Sequence, residues 1–152
     1  MTERLRAVLD TNVFVSAFLS RNPTSPTREI VQRWQAGEFV LLSSESLIDE
    51  VTEKLLSRQI QRERILEFLT LLTRLAEWIE IPREAVRPVI LQDPEDDLVL
   101  ACAVLGKADF LVTYDTHFDS LKGDYAGIRI TKALPFLWAL RGDQPPEEGR
   151  LS

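Results

Sequence analysis

The sequence contains a single cysteine, Cys102, which has no partner for an intrachain disulfide. A fold held together by disulfides is therefore excluded. Cys102 lies inside an apolar stretch, and this position favours a buried thiol. A reducing compartment is consistent with this pattern, and we expect a cytoplasmic protein.

Long hydrophobic runs are also missing. Residues 1–6 carry charges, and the apolar run behind them is broken at Asp10. This run is too short for the apolar region of a signal peptide or for a membrane span. We therefore expect a chain that does not enter a membrane.

Positive charge is scarce, because 18 lysines and arginines stand against 24 aspartates and glutamates and give a formal net charge of −6. Broad capture of nucleic acid depends on cations that neutralise phosphates, so it is not expected here. The phosphate charges of a nucleic-acid substrate would have to be neutralised locally. A divalent cation held by carboxylates would do this, and part of the excess acid would then belong to the site.

Strand and helix patterns alternate along a chain whose 152 residues suit one compact domain. Strands are predicted at 5–9, 39–42, 110–113 and 128–130, with short extended candidates at 79–82 and 89–91. Helices are predicted from Thr11 or Asn12 to 18, from Thr27 to near Gly37, from one of residues 43–46 to about Arg58, and over about 62–78, 94–105 and 132–140. This order predicts an α/β domain with a mostly parallel sheet and helices on both faces.

The domain is predicted to occupy residues 1–141. Residues 142–152 are rich in proline, glutamate and glycine, which predicts a disordered tail.

Four acidic positions point to one site. Asp10 and Asp115 each follow a predicted strand, Glu50 borders the apolar face of a predicted helix, and an acidic group at 93–97 opens another helix. Because ligand sites of parallel sheets lie beyond the carboxyl ends of the strands, the fold itself would bring Asp10 and Asp115 to one edge.

Each acid taken alone has a structural explanation as a helix cap, a turn residue, a solvated side chain or a favourable charge at a helix N-terminus. Four carboxylates that converge without a cation would repel one another, so convergence predicts raised pKa values or a bound metal. A ligand set made of oxygens favours Mg²⁺ or Mn²⁺ over Zn²⁺. We interpret His117, the only histidine, as a turn residue or a support for the site and not as a ligand.

The sequence resembles the PIN-domain nucleases, and more narrowly the bacterial PIN proteins of toxin–antitoxin modules. The resemblance spans residues 5 to about 140. Any one of its four motifs is short, but four in the right order are specific. The motifs are Val8-Leu-Asp-Thr-Asn-Val13, Ser44-Glu-Ser-Leu-Ile-Asp-Glu50, Asp93-Pro-Glu-Asp-Asp-Leu-Val-Leu-Ala-Cys-Ala103 and Leu111-Val-Thr-Tyr-Asp-Thr-His-Phe118.

The resemblance implies a three-layer α/β/α sandwich and a Mg²⁺- or Mn²⁺-dependent endoribonuclease that cleaves single-stranded or structured RNA. It also implies a homodimer and an antitoxin partner. The acids of the family carry over to Asp10, Glu50, Asp97 and Asp115, which would hold one or two cations that activate a water molecule. Glu50 would bind metal or act as the base.

Asp96 is the main ambiguity, because it could replace or assist Asp97. A helix that begins near Pro94 and buries Leu98, Ala101 and Leu105 would turn Asp97 toward the sheet edge and rotate Asp96 about 100° away. We therefore expect Asp97 at the site.

Three polar residues, Thr11, Asn12 and Thr113, match positions near the metal site of the family. An interpretation of these residues as helix caps or turn residues stays equally open.

Two other functional classes were compared with the nuclease. Haloacid-dehalogenase-like phosphatases also place an aspartate after the first strand, but they need a second acid two residues later, where this chain has Asn12. A catalytically silent PIN module that serves as an RNA-binding or protein-interaction scaffold is the alternative to the nuclease.

Overall fold

The fold is built around a six-stranded sheet in a computed structural model that describes residues 4–90 and 93–142. The strands are β1 (Arg6–Leu9), β2 (Val40–Ser43), β3 (Glu77–Trp78), β4 (Phe110–Val112), β5 (Asp124–Tyr125) and β6 (Ile128–Thr131). The helices are α1 (Thr11–Leu19), α2 (Pro26–Gln35), α3 (Glu45–Ser57), α4 (Arg62–Leu75), α5 (Pro94–Leu105) and α6 (Ala133–Arg141), and short 3-10 turns cover Arg83–Ala85 and Thr116–Leu121.

The strand order is β3-β2-β1-β4-β6-β5, and all neighbouring pairs are parallel except β5 with β6. Val8 of the central strand β1 lies opposite Leu42 on one side and Leu111 on the other. The carboxyl ends of β1, β2 and β4 therefore meet at one edge of the sheet, as the alternating sequence pattern predicts.

Successive residues of β1 face opposite sides of the sheet, as a strand requires. Ala7 and Leu9 pack into a core with residues of α1, α2, α3, α4 and α6. Val8 packs into a second core with residues of α5 and with Phe118. The predicted three-layer α/β/α class is thereby confirmed.

The helix predicted over 62–78 ends earlier, at Leu75. Glu77 and Trp78 instead form the edge strand β3, which lies opposite Leu42 and Ser43, so the strand precedes the extended stretch expected at 79–82. Helical periodicity cannot reveal a two-residue strand, because such a strand exists only through its pairing with a neighbour.

The strand predicted at 89–91 is not observed at its two described residues, and residue 91 lies outside the described part of the chain. The backbone N–H groups of Val89 and Ile90 donate to a side chain and not to a strand. The antiparallel strand β5 is an addition that the sequence analysis did not predict. It forms a hairpin whose turn holds Ala126 and Gly127 at φ values of 52° and 82°.

The thiol of Cys102 is fully buried, and burial raises its pKa to about 12, so it is a core residue as predicted. No helix of the described residues is both long enough and apolar enough to span a bilayer. Residues 143–152, which make up most of the predicted tail, lie outside the described residues.

Candidate metal centre

Asp10 is the first component of the site and lies directly after β1. Its backbone N–H donates to the carbonyl of Val112 at 2.9 Å, and its Oδ1 accepts the N–H of Thr11 at 2.8 Å. Asp10 is thus the N-cap of α1, and at 4% exposure it is almost completely buried. The Asp10 side chain both caps α1 and belongs to the site, because the helix starts where the strand ends.

Thr113 connects Asp10 to the next strand of the sheet. The Thr113 hydroxyl donates to Asp10 Oδ2 at 2.7 Å and accepts the backbone N–H of Asp115 at 3.0 Å. Asp115 in turn accepts the backbone N–H of His117 at 2.9 Å. The carboxylates that follow β1 and β4 are therefore held by a continuous set of hydrogen bonds, as their positions in the sequence indicated.

The third carboxylate of this group is Asp96, in the first turn of α5. Single oxygens of Asp10, Asp96 and Asp115 all lie within 4.8 Å of one another. Asp96 is only 6% exposed. Three segments that are distant in sequence thus bring three acids to one point.

Asp97 does not lie in this group, contrary to the placement expected from the sequence. Its Oδ1 accepts the backbone N–H of Val89 at 2.9 Å and of Ile90 at 2.7 Å, so the carboxylate holds the segment that precedes α5. The expectation failed because the buried surface of α5 is broad and is not the face expected from the sequence, since Leu105 is 41% exposed. The buried residues of this helix are Asp96, Asp97, Val99, Leu100, Ala101, Cys102 and Ala103.

A helix with so broad an apolar surface has no single hydrophobic face, so periodicity cannot decide which of two adjacent acids faces the sheet edge. The sequence carries no signal for this contact, because the lack of a strand partner for the N–H groups of Val89 and Ile90 is seen only in the folded chain, where Asp97 is their acceptor.

Glu50 lies on α3, half-buried, with its Oε1 3.4 Å from Lys54 Nζ. It is outside the group of three acids, but its negative charge acts on Asp10. Glu50 also lines a cavity together with Glu95 and Val99 of α5. Glu50 therefore lies at the border of the site, and the three aspartates form its centre.

Burial dominates the electrostatics of the group. It raises the pKa of Asp10, with smaller increases from the charges of Glu50 and Asp115, while the hydrogen bonds from Thr113 and Thr11 lower it. Burial also raises the pKa of Asp96 to about 6, and the nearby acids add to this against a hydrogen bond from His117. Ionised carboxylates are costly here, and a cation would offset that cost.

His117, interpreted from the sequence as a turn residue or a support for the site, touches two of the acids. Its Nδ1 is 2.9 Å from Asp96 Oδ2 and 3.4 Å from Asp115 Oδ1, and the contact with Asp96 raises the pKa of the imidazole. Potential ligand atoms of Asp93, Asp96 and His117 also lie within 4.8 Å of one another. The close sequence position of His117, two residues after Asp115, was the available signal.

Thr11 and Asn12 have different positions around the site. Asn12 Oδ1 accepts the backbone N–H of Tyr114 at 3.1 Å, and this contact braces the loop after β4 against α1. The Thr11 hydroxyl is buried without a hydrogen-bond partner among the described residues, and only its backbone N–H contacts Asp10. Of the three polar candidates, only Thr113 has a side chain that forms hydrogen bonds with the acids of the site in the described part of the chain.

The donor chemistry of the group fits a hard divalent cation. Three carboxylates converge, Asp10 and Asp96 are almost completely buried, and Asp10 and Asp115 are held in place by hydrogen bonds. Mg²⁺ and Mn²⁺ prefer such oxygen donors.

Comparison with known proteins gives the family. Residues 6–117 match the model of the PIN domain, and this chain belongs to that family. A chain in the crystal structure of VapBC2 from Rickettsia felis, bound to a DNA fragment from their promoter, shares the fold with a TM-score of 0.57 and 15% identity over 83% of this chain and 97% of that chain. A search of curated protein sequences gives no match.

Proposed function

We propose that this PIN domain is an endoribonuclease that depends on Mg²⁺ or Mn²⁺, with Asp10, Asp96 and Asp115 as metal ligands. The observation that carries the proposal is the convergence of these three acids, with one oxygen of each within 4.8 Å of the others. The burial of Asp10 and Asp96 makes the metal-free state electrostatically unfavourable, which supports a site selected to hold a cation.

The bound cation would polarise the scissile phosphate and lower the pKa of a water molecule. The protein would supply orientation. Thr113 and the N–H of Thr11 hold the two oxygens of Asp10, and the N–H of His117 holds Asp115. Glu50, at the border of the group, would accept a proton from the attacking water.

This proposal changes one assignment made from the sequence. Asp96 takes the place of Asp97 as the third ligand, and Asp97 takes a structural role on the N–H groups of Val89 and Ile90. No nucleophilic side chain is required, since a water molecule would attack the phosphate in line and displace the leaving oxygen. Cys102 is no candidate for that role, because burial keeps it a thiol.

We further propose a cytoplasmic toxin with an RNA substrate and an antitoxin partner. The sequence resemblance to PIN proteins of toxin–antitoxin modules supports this, together with the shared fold of the VapBC2 chain. Self-association is supported by exposed apolar side chains, foremost Leu66 at 63% exposure and also Leu75 and Trp78. Light scattering at micromolar concentration tests the homodimer, and a monomer mass would contradict it.

The scaffold alternative has one observation in its favour. His117 lies against Asp96 and could offset part of the negative charge without a metal. Titration with Mn²⁺ followed by cleavage assays on single-stranded and structured RNA separates the two functions. We expect Mn²⁺ binding and cleavage that excess EDTA abolishes, whereas undiminished cleavage in EDTA would rule out the metal mechanism.

A further inference from the structure

A row of charged side chains runs along α3, the helix that carries Glu50. Glu50, Lys54 and Arg58 occupy every fourth position, and Arg58 is the residue that caps the C-terminal end of the helix. Residues four apart lie on the same face, about 6 Å apart along the axis. The row therefore begins with an acid and continues with two cations at regular steps.

The acidic end of this row lies next to the metal centre. The helix α3 begins directly after β2, which pairs with β1, so it leaves the sheet at the same edge as Asp10. Glu50 lines a cavity with Glu95 and Val99, which belong to the helix that also carries Asp96. The two cations lie further along the helix and lead away from the carboxylates.

The cations of the row are available for a ligand. Lys54 is 52% exposed, and its 3.4 Å contact with Glu50 is a surface pair of the kind that contributes little. Arg58 is exposed and forms no ion pair within residues 4–90 and 93–142. A phosphate could therefore replace Glu50 as the partner of Lys54 without breaking a strong interaction.

A third exposed cation, Arg62, lies just after the turn that joins α3 to α4. Gln59 adopts a left-handed conformation with φ of 61°, the N–H of Ile60 returns to the carbonyl of Leu55 at 3.2 Å, and α4 begins at Arg62. Arg62 is exposed and likewise has no ion pair among the described residues. The guanidinium of Arg64 lies over the ring of Phe18 at 5.1 Å, so it already has a partner.

We propose that Lys54, Arg58 and Arg62 form a phosphate track that guides single-stranded RNA into the metal centre. The step of about 6 Å between Lys54 and Arg58 is comparable to the spacing of successive phosphates along one extended strand. A single row suits one strand, whereas a duplex presents two phosphate backbones. The acidic neighbour Glu53 is rotated about 100° from Lys54 around the helix axis. Its carboxylate therefore does not lie in the row of cations, although the protein as a whole is acidic.

This inference rests on the proposed nuclease function, but its first test does not require cleavage. Fluorescence anisotropy of a short labelled oligouridine would be measured with Ca²⁺ in place of Mg²⁺, and a gel would verify that the RNA stays intact. The test variant is the double substitution Lys54→Gln and Arg58→Gln. The matched control is Arg74→Gln with Lys107→Gln, which removes the same two charges.

The control residues are exposed and lie at the opposite end of the sheet. Lys107 follows Gly106, whose carbonyl accepts hydrogen bonds from Arg6 at the start of β1. Leu75, next to Arg74, lines a cavity together with Arg6 and Gly37. Circular dichroism would verify that both double variants are folded.

We expect the track variant to bind about tenfold more weakly than wild type at low salt, with the control close to wild type. The slope of log affinity against log salt should fall by about 1.4 for the track variant, which is about 0.7 for each lost phosphate contact. Equal losses in both double variants, or no loss in the track variant, would overturn the proposal. Displacement of the RNA by polyglutamate as effectively as by unlabelled RNA would also overturn it, in favour of an acidic peptide.

Cleavage of the same RNA with Mn²⁺ separates the two proposals. If wild type and the control bind as expected, the track variant binds weakly and none of them cleaves, the track is supported and the nuclease function fails. If wild type cleaves and the track variant binds and cleaves equally well, the track fails and the nuclease function is supported.

Discussion

The hydroxyl of Thr113 donates a 2.7 Å hydrogen bond to Asp10, and this contact joins residues 103 positions apart. It links the ends of β1 and β4 at the point where both strands deliver an acid. The same hydroxyl accepts the N–H of Asp115, so one buried oxygen positions two of the three carboxylates.

Replacement of Thr113 by valine should weaken metal binding by about 10–100-fold, which is typical when a residue that orients a metal ligand is lost. Valine keeps the shape but offers no donor to Asp10 and no acceptor to the N–H of Asp115. Titration with Mn²⁺ followed by calorimetry measures the effect. Thr113→Ser is the control, because it keeps the hydroxyl and should retain affinity close to that of wild type.

A second control distinguishes orientation of the acids from general damage. Thr73→Val removes the same hydroxyl from an exposed position on α4, where it donates to the carbonyl of Leu69. This variant should bind Mn²⁺ like wild type. Equal affinities for Thr113→Val and Thr73→Val would contradict the role assigned to Thr113.

Asp96 and Asp97 should respond in opposite ways to substitution. Asp96→Asn removes a charge from the group of three acids, so Mn²⁺ binding and RNA cleavage should collapse while the protein stays folded. Asp97→Ala removes the acceptor of two backbone N–H groups and should lower the free energy of unfolding by about 1–3 kcal/mol. Its residual folded protein should still bind metal.

Metal titration, cleavage and urea unfolding of both variants decide this point. Asp97→Asn is an informative third protein, because its amide oxygen can still accept the N–H groups of Val89 and Ile90 while the charge is gone. We expect it to be folded, metal-binding and active. An inactive Asp97→Asn beside an active Asp96→Asn would restore the assignment made from the sequence.

These two neighbours show where the sequence was informative. The positions of Asp10 and Asp115 could be predicted because each follows a buried parallel strand, and strand order alone brings such residues to one edge. The choice between Asp96 and Asp97 could not be made, since it depends on the rotation of a helix that is buried nearly all round. The partner of Asp97 lies in a segment without regular structure, whose path no periodicity describes.

The strands of the sheet likewise divide into those that the sequence predicts and those that it does not. Strands β1, β2, β4 and β6 were predicted within two residues, because β1, β2 and β4 lie in short apolar runs and β6 alternates apolar and polar residues. Strands β3 and β5 have two residues each and carry too little pattern to detect. Both lie at the edges of the sheet, where pairing with one neighbour and not the intrinsic sequence defines them.

The ion pairs of Glu29 give the free energy of unfolding a pH dependence that does not come from the candidate metal centre. The hydrogen bond from Arg141 to Glu29, aided by Arg33, lowers the pKa of the carboxyl below its ordinary value in the folded state. A depressed folded pKa contributes stability above the unfolded pKa, near 4.5, and this contribution is lost as the pH falls through the folded value. The three groups are partly exposed, so the contribution should be at most about 1 kcal/mol.

Urea unfolding of wild type and Glu29→Gln, in EDTA, tests this expectation. The variant should be less stable at pH 7, and the difference should shrink as the pH is lowered below 4.5. Taking the difference between the two proteins removes the titration of the other acids. A difference that stays constant or widens on acidification would contradict the assigned role of the ion pair.

A bound metal should reverse the order of stability of wild type and Asp96→Asn. Burial raises the folded pKa of Asp96 to about 6 from its ordinary value of 3.8. The stability associated with this group is therefore fully present below pH 3.8 and is lost as the pH rises through about 6. At pH 8 the wild-type carboxylate is ionised at a cost, and asparagine does not carry that cost.

In EDTA at pH 8, Asp96→Asn should consequently be at least as stable as wild type. Mn²⁺ at about one hundred times its dissociation constant should stabilise wild type by about 2.7 kcal/mol and leave the variant nearly unchanged. For a domain of this size, that corresponds to a rise in Tm of about 5–10 °C. Thermal unfolding of both proteins with and without Mn²⁺ measures the reversal. Equal shifts in the two proteins would show that the metal binds elsewhere, and a variant that is much less stable in EDTA would show that Asp96 serves the fold and not the site.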